Sequence, residues 1–197
     1  MRLRDELKEL AIREQAMEMI VKEGFDGLSM QKLAKAAGVS PATIYIYFKD
    51  REDLIRQIYY EEMLVMSQET LKGFDPDMHF DEGLRVQWMN RAQYCMKYPL
   101  RMHFMEQMRH SPLHEKFQGD AQNPFSAAMK TFVANAIQRN ELVKLPIEVY
   151  WSMAYAPLYQ LIKFHQSENG MPGWGKFVLD EQTLNRTLDL VLKALKP

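Results

Sequence analysis

The residues between Gly27 and Arg51 carry the clearest chemistry in this chain. Lys32, Lys35, Lys49 and Arg51 stand there against Asp50 alone, a local surplus of +3. Cations grouped in this way neutralise phosphate oxygens, and a local patch is enough to do it. The net charge of −1 therefore removes a global basic signature without excluding a nucleic-acid partner. Other groupings are weaker. Glu106 and His110 lie four residues apart with His103 one turn earlier, a spacing that arises by chance and lacks the His-Glu-x-x-His pattern. No metal is expected there. The glycines of Asn169–Gly175 have no strand before them, no helix after them and no following Lys-Ser/Thr, so they do not form a phosphate cradle. No nucleophile–base pair reads as catalytic, and neither enzymatic activity nor a cofactor is expected.

The elements that must hold the cationic stretch can be read from its punctuation. Ser29 caps one short helix, whose Leu33 and Ala34 face inward. Gly38 supplies the positive-φ stop and Val39 plugs the corner. Ser40 caps a second helix with Pro41 in its first turn, where a missing N–H costs nothing. Two helices joined by a short glycine turn form a helix-turn-helix, the second member of which lies in a DNA major groove. Ile44 and Phe48 belong to its core. An earlier helix over about Arg4 to Glu23 turns Leu7, Ala11, Met17 and Ile20 inward and stops at Gly24. A long helix starts at Asp50, placed as an N-cap with Glu52 and Asp53 in the first turn, and runs to about Lys72 before Gly73.

The run from about Ala16 to Leu54 closely resembles the DNA-binding domain of the tetracycline-repressor (TetR) family. It includes Val21-Lys-Glu-Gly-Phe25 before the unit and Tyr45-Ile-Tyr-Phe-Lys-Asp-Arg-Glu-Asp-Leu54 after it. The resemblance implies an all-α, homodimeric, cytoplasmic transcription regulator, usually a repressor released from a double-stranded DNA operator by a small-molecule effector. It also implies positions of contact. Gln31 sits where the family often reads a base, and glutamine can bond an adenine edge in bidentate fashion. Pro41, Ala42, Tyr45 and Ile46 fall on the groove side. Thr43, Tyr47, Lys49 and Arg51 match positions commonly used for phosphates. Pro41 stands where Lys or Arg is frequent, Ala42 replaces a usual Gly and Ile46 a frequent polar or aromatic residue. A reading face so poor in hydrogen-bonding groups predicts A·T-rich, near-palindromic half-sites. The alternative is a helical-bundle carrier or enzyme in which the helix-turn-helix is only packing.

Period-3.6 patterning continues to the end, with helices expected at about 81–97, 99–110, 123–140, 146–167 and 180–195. The fold class expected is all-α: an N-terminal three-helix helix-turn-helix DNA-binding domain over 1–49, and a C-terminal helical ligand-binding and dimerisation bundle over 50–197. Boundaries fall at Pro99, at Ser111-Pro112, in the polar stretch Gln118 to Pro124, at Pro146, and at the loop from Asn169 to Gly175. The bundle is crowded with aromatics and draws on fifteen methionines, a pliable lining suited to an apolar ligand. Trp88, Met102, His103, Met105, Met129 and Tyr155 are the candidates for that lining. Tyr150, Met153, Leu161 and Phe164 on one helix, and Leu184, Leu188, Val191 and Leu195 on the last, form apolar stripes. The resemblance assigns these two helices to a four-helix dimer interface, and Pro157 should kink the first of them. Cys95, the single cysteine, shares a stripe with Leu84, Trp88 and Ala92 and should be a buried thiol. The charged N-terminus lacks a signal-peptide core, and Val149–Ile162 is too short to span a bilayer, so no membrane partner is expected.

Overall fold

The computed structural model describes residues 2–117, 124–167 and 170–197. Ten α-helices occur among them: α1 (Arg2–Glu23), α2 (Met30–Ala36), α3 (Pro41–Tyr47), α4 (Arg51–Thr70), α5 (Phe80–Lys97), α6 (Pro99–Arg109), α7 (Pro112–Phe117), α8 (Pro124–Gln138), α9 (Ile147–Gln166) and α10 (Glu181–Leu195). There is no strand among the described residues beyond one isolated antiparallel bridge between Met171 and Gly175. The expected stretch from Gln118 to Asn123, and Asn169 at the head of the glycine loop, lie outside them. The all-α class is as the sequence indicates. No helix among the described residues is long and apolar enough to cross a membrane.

The chain forms two compact units, Met1–Val65 with Tyr98–Gln122, and Met66–Lys97 with Asn123–Pro197. In the first, α1 packs on α2, α3 and α6 around Ile12, Ala16, Met17, Ile20, Leu33, Ile44, Phe48, Leu54, Ile55 and Ile58. Leu7 does not join this core. It is exposed, because it sits roughly half a turn from the stripe through Ile12, Ala16 and Ile20 at about 100° per residue. Two short elements escaped the periodicity reading. Phe25–Gly27 is a single 3-10 turn, and Pro112 opens the six-residue α7 where a boundary was expected. Proline is favourable at a first helical position, so the residue that ends one element also begins another.

In the second unit α5 is the central helix, packed on α8, α9 and α10. Gly83 lets α5 approach α8: a Cβ there would lie 2.5 Å from the buried ring of Phe132. Trp88 is fully buried and its Nε1 donates to the Ala154 carbonyl of α9 at 2.7 Å. Cys95 is buried, and burial pushes its thiol up to about 11, so it is an inert core group at neutral pH. The α9 helix continues through Pro157 without ending. The carboxylate of Glu141 closes the start of α5 by accepting from the Phe80 amide at 2.9 Å and from His79 Nδ1 at 2.5 Å.

Candidate nucleic-acid interface

Local hydrogen bonds build α2, the turn and α3 from adjacent residues. Ser29 Oγ accepts from the Lys32 amide at 3.2 Å. At the far end, Val39 N–H reaches the Ala34 carbonyl (3.0 Å) and Gly38 N–H the Lys35 carbonyl (3.4 Å). This is a Schellman closure, with Gly38 at φ 65° in the left-handed position that needs no Cβ. Ser40 Oγ then accepts from the Thr43 amide at 3.1 Å, and Pro41 fills the first position of α3. Two such caps, each contributing about 1 kcal/mol, hold helices far too short to persist alone.

Only Ile44 of α3 is buried, and the chain then turns at Phe48, whose amide donates back to the Ile44 carbonyl. Phe48 lies under the Arg13 guanidinium at 5.0 Å. Arg13 in turn engages Glu9 through Nε and Nη2 (3.2 and 2.8 Å), Gln57 at 3.0 Å and Glu61 at 3.1 Å. The start of α4 is equally well satisfied. Asp50 accepts from the Asp53 amide, and Asp53 accepts from the Lys49 amide and from Arg56 and Gln57. The Arg56 guanidinium foremost, with the Lys49 amide, holds the Asp53 carboxyl below its ordinary value.

Fixing one face of α3 leaves the other outward. Pro41, Ala42, Tyr45 and Ile46 are exposed, Tyr45 by 54% and Ile46 by 77%. Gln31 and Lys49 are exposed as well, while Thr43 and Tyr47 are half-buried. Thr43 shares its hydroxyl with Ser40 at 2.9 Å, and Tyr47 leans on Phe48 with ring centroids 6.2 Å apart. Arg51 is differently employed: its Nε donates to the Leu28 carbonyl at 2.9 Å and its Nη2 to Phe25 O, tying α4 to the 3-10 turn. Lys32 pairs loosely with Glu23 at 3.5 Å. The result is a rigid, outward ridge of small and apolar groups flanked by lysines. Tyr45 and Ile46 are the large apolar side chains that this ridge leaves in water.

The six residues expected to line a ligand site divide between the two units. Met102, His103 and Met105 belong to α6 of the first. There His103, Glu106, Gln107 and His110 border a surface hollow of about 740 Å³ with Val21, Phe25, Ser111 and Pro112. No group of three metal-ligating side chains occurs among the described residues. Trp88, Met129 and Tyr155 are buried in the second unit. The Tyr155 hydroxyl donates to Gln87 Oε1 (2.6 Å), and Gln87 Nε2 contacts Met129 Sδ at 3.0 Å.

One residue of that core gave no signal in the motif reading. Arg91 is fully buried beside Tyr155, Phe125 and Trp151, its Cζ 4.4, 4.9 and 5.2 Å from their ring centroids. Its Nη1 donates to Tyr159 Oη at 2.6 Å. Burial is the largest influence on it and works against its charge; Tyr159 and Tyr155 act in the opposite sense, and the net direction is upward. Its sequence signal was position: Arg91 falls on the apolar stripe of Leu84, Trp88 and Cys95, where a cation is out of place.

Of the residues assigned to a partner surface, Tyr150, Leu188, Val191 and Leu195 are buried in the chain's own bundle. Leu161, Phe164 and Leu184 are half-buried and Met153 is exposed, joined outside by Val149 and by Leu190, which is 62% exposed. An apolar period of 3.6 identifies a helix face that avoids water without saying whose core it enters.

Residues 12–58 match the family model described as bacterial regulatory proteins, tetR family. An HTH-type transcriptional regulator of Haemophilus influenzae is 32% identical over 94 residues, covering 48% of this chain and 50% of that protein. The fatty acid metabolism regulator protein of Bacillus subtilis is 39% identical over 56 residues, 28% of this chain and 29% of its own. These matches span about half, or less, of the curated relatives' length. Across the whole fold, a TetR family transcription regulator from Marinobacter aquaeolei superposes with TM-score 0.82 at 24% identity, covering 100% of this chain and 99% of that one. A TetR-family regulator from Haemophilus influenzae superposes with TM-score 0.78 at 22% identity, covering 96% and 97%.

Proposed function

Through its helix-turn-helix the chain belongs to the tetR family of bacterial regulatory proteins, and on that premise we propose that it is a homodimeric repressor of transcription. It holds a near-palindromic DNA operator and releases it when a small, largely apolar molecule binds. The observation that carries this reading is the outward ridge of α3. A helix pinned on one side by Ile44, with Tyr45 and Ile46 left in water, has a surface without an internal use.

In this reading the functional division stays at 1–49 for DNA and 50–197 for effector and partner. Pro41, Ala42, Tyr45 and Ile46 touch thymine methyl groups, and Gln31 takes an adenine edge. Lys49, Thr43 and Tyr47 hold phosphates. Arg51, whose donors are used internally, keeps α4 and its neighbouring lysine in place. One copy makes too few phosphate contacts to be selective, and two copies reach successive major grooves about 34–36 Å apart. The partner surface is the outward side of α9 and α10, where Val149, Met153 and Leu190 extend the half-buried Leu161, Phe164 and Leu184. An effector lowers operator affinity only by its differential affinity for the two arrangements of the dimer.

Fluorescence anisotropy on DNA fragments retained by the purified protein tests the DNA half of the reading. Tyr45→Ala and Lys49→Ala should each weaken binding, on the order of tenfold, with helical content unchanged. A carrier or enzyme with a packing-only helix-turn-helix would retain no fragment and be indifferent to both changes. Gel-shift titration tests the inducer half, which fails if compounds that bind the bundle leave operator affinity as it was.

A further inference from the structure

The most unusual group in the second unit is the Arg91 cation. Among the described residues its Nε and Nη2 have no hydrogen-bond acceptor, although both atoms are buried, and no carboxylate pairs with it. Its phenol and thiol neighbours do not supply the missing charge at neutral pH. Burial pushes Tyr155 up to about 12 and Cys95 to about 11. The three rings and Tyr159 recover part of the desolvation cost, but rings saturate none of the in-plane donors. A buried guanidinium with two unmet N–H groups is costly, and such groups are otherwise found partnered.

Which two donors are unmet indicates what would meet them. The Nε–H and one Nη2–H point side by side, the edge of the guanidinium that fits a carboxylate. Arg13 uses this same pair of nitrogens on Glu9, at 3.2 and 2.8 Å. The rings of Tyr155, Phe125 and Trp151 stand 4.4, 4.9 and 5.2 Å from the Arg91 Cζ. Of the three rings, Tyr155 is buried, whereas Phe125 and Trp151 are half-buried and meet edge-to-face at 6.0 Å. Those two are the more exposed side of the ring cluster.

We propose that the core of the second unit binds a small carboxylic acid with an apolar body, its carboxylate seated on the Nε–Nη2 edge of Arg91. The inference deepens the effector reading above and rests on it: the inducing ligand is an anion rather than a neutral apolar molecule. The apolar body lies against Phe125, Trp151 and Tyr155, and the acid's charge is matched without water.

Isothermal titration of the full chain, without DNA, compares octanoate with 1-octanol and 4-phenylbutanoate with 4-phenyl-1-butanol. At least one acid should bind about tenfold or more tighter than its alcohol, as an added charge-assisted bidentate pair requires. Arg91→Met should bring that ratio to within about twofold, and Arg91→Lys, which keeps a charge but loses the fork, should fall between. Circular dichroism and melting temperature confirm that each variant is folded, and Arg91→Lys carries the test if Arg91→Met is not. Equal binding of acid and alcohol, no binding by either acid, or a preference that survives both substitutions overturns the proposal. An acid that binds through Arg91 but leaves operator affinity unchanged upholds this site and sinks only the inducer reading.

Discussion

Arg13 and Arg91 both lie against aromatic rings and each has a buried nitrogen without a hydrogen-bond acceptor among the described residues, but only Arg13 is faced by carboxylates. Arg13 sits over Phe48 and reaches Glu9, Gln57 and Glu61, so its charge is answered within its own unit. Arg91 is enclosed by three rings and bonded only through Nη1 among the described residues. The helix-turn-helix unit sets carboxylates against its arginine, and its caps and turn leave a platform whose unused surface faces outward. Among the described residues the bundle holds a cation two of whose nitrogens have no acceptor. A platform that must present fixed groups to a polymer gains from satisfied polar contacts. On the reading proposed above, a unit that responds to a small molecule needs something for that molecule to satisfy.

The largest expected effect probes the platform. Ile44→Ala should lower unfolding stability by about 2–5 kcal/mol, since Ile44 is the single buried residue of α3. Its neighbour Tyr45→Ala should stay within about 0.5 kcal/mol, because its side chain is already in water. Chemical denaturation of both variants reads the contrast, and comparable losses would show that α3 has no free face.

The two arginines should respond with different sign. Arg13→Met removes ion pairs to the water-accessible carboxylates of Glu9 and Glu61 and should cost up to about 1 kcal/mol. Arg91→Met replaces a poorly partnered buried cation with an apolar chain, which should be neutral or stabilising by up to about 4 kcal/mol. A thermal melt in which Arg91→Met is clearly the less stable of the two would mean that the rings alone repay the charge.

A smaller effect separates positioning from reading. Lys49→Ala should weaken binding to all duplexes alike and lower the slope of log affinity against log salt by about 1, whereas Tyr45→Ala should leave that slope unchanged. The smallest effect concerns acid. The His79 contact foremost, with the Phe80 amide, holds the Glu141 carboxyl below its ordinary 4.5. The unfolded chain therefore takes up this proton first as the medium is acidified. The stability Glu141 confers is whole above pH 4.5 and is lost as the pH falls through the lower folded value. Melting temperatures of the protein and of Glu141→Gln should converge in acid and differ at neutral pH.

Legibility in the sequence followed the range of the interactions. Ser29, Gly38, Ser40 and Pro41 act on amides within a few residues of themselves, so adjacent letters were enough to place α2, the turn and α3. Leu7 shows the limit of counting apolar residues: it fits a loose stripe, but the phase is set by Ile12, Ala16 and Ile20 against helices distant in the chain. Leu188 and Val191 carry the same lesson for surfaces, since their period is identical whether the covering face is their own or a partner's. Arg51 matched a phosphate-binding position while its donors go to Leu28 and Phe25, a pairing visible only in three dimensions. Arg91 was the converse, a charge on an apolar stripe whose Nε and Nη2 find no acceptor among the described residues.

The central claim is that paired copies present α3 to successive grooves of DNA. Selection of random duplexes by the purified protein, followed by sequencing, tests it most directly. The account predicts an inverted repeat of A·T-rich half-sites with centres about one helical turn apart. Recovery of no enriched sequence, or of a single half-site without its mirror image, would contradict it.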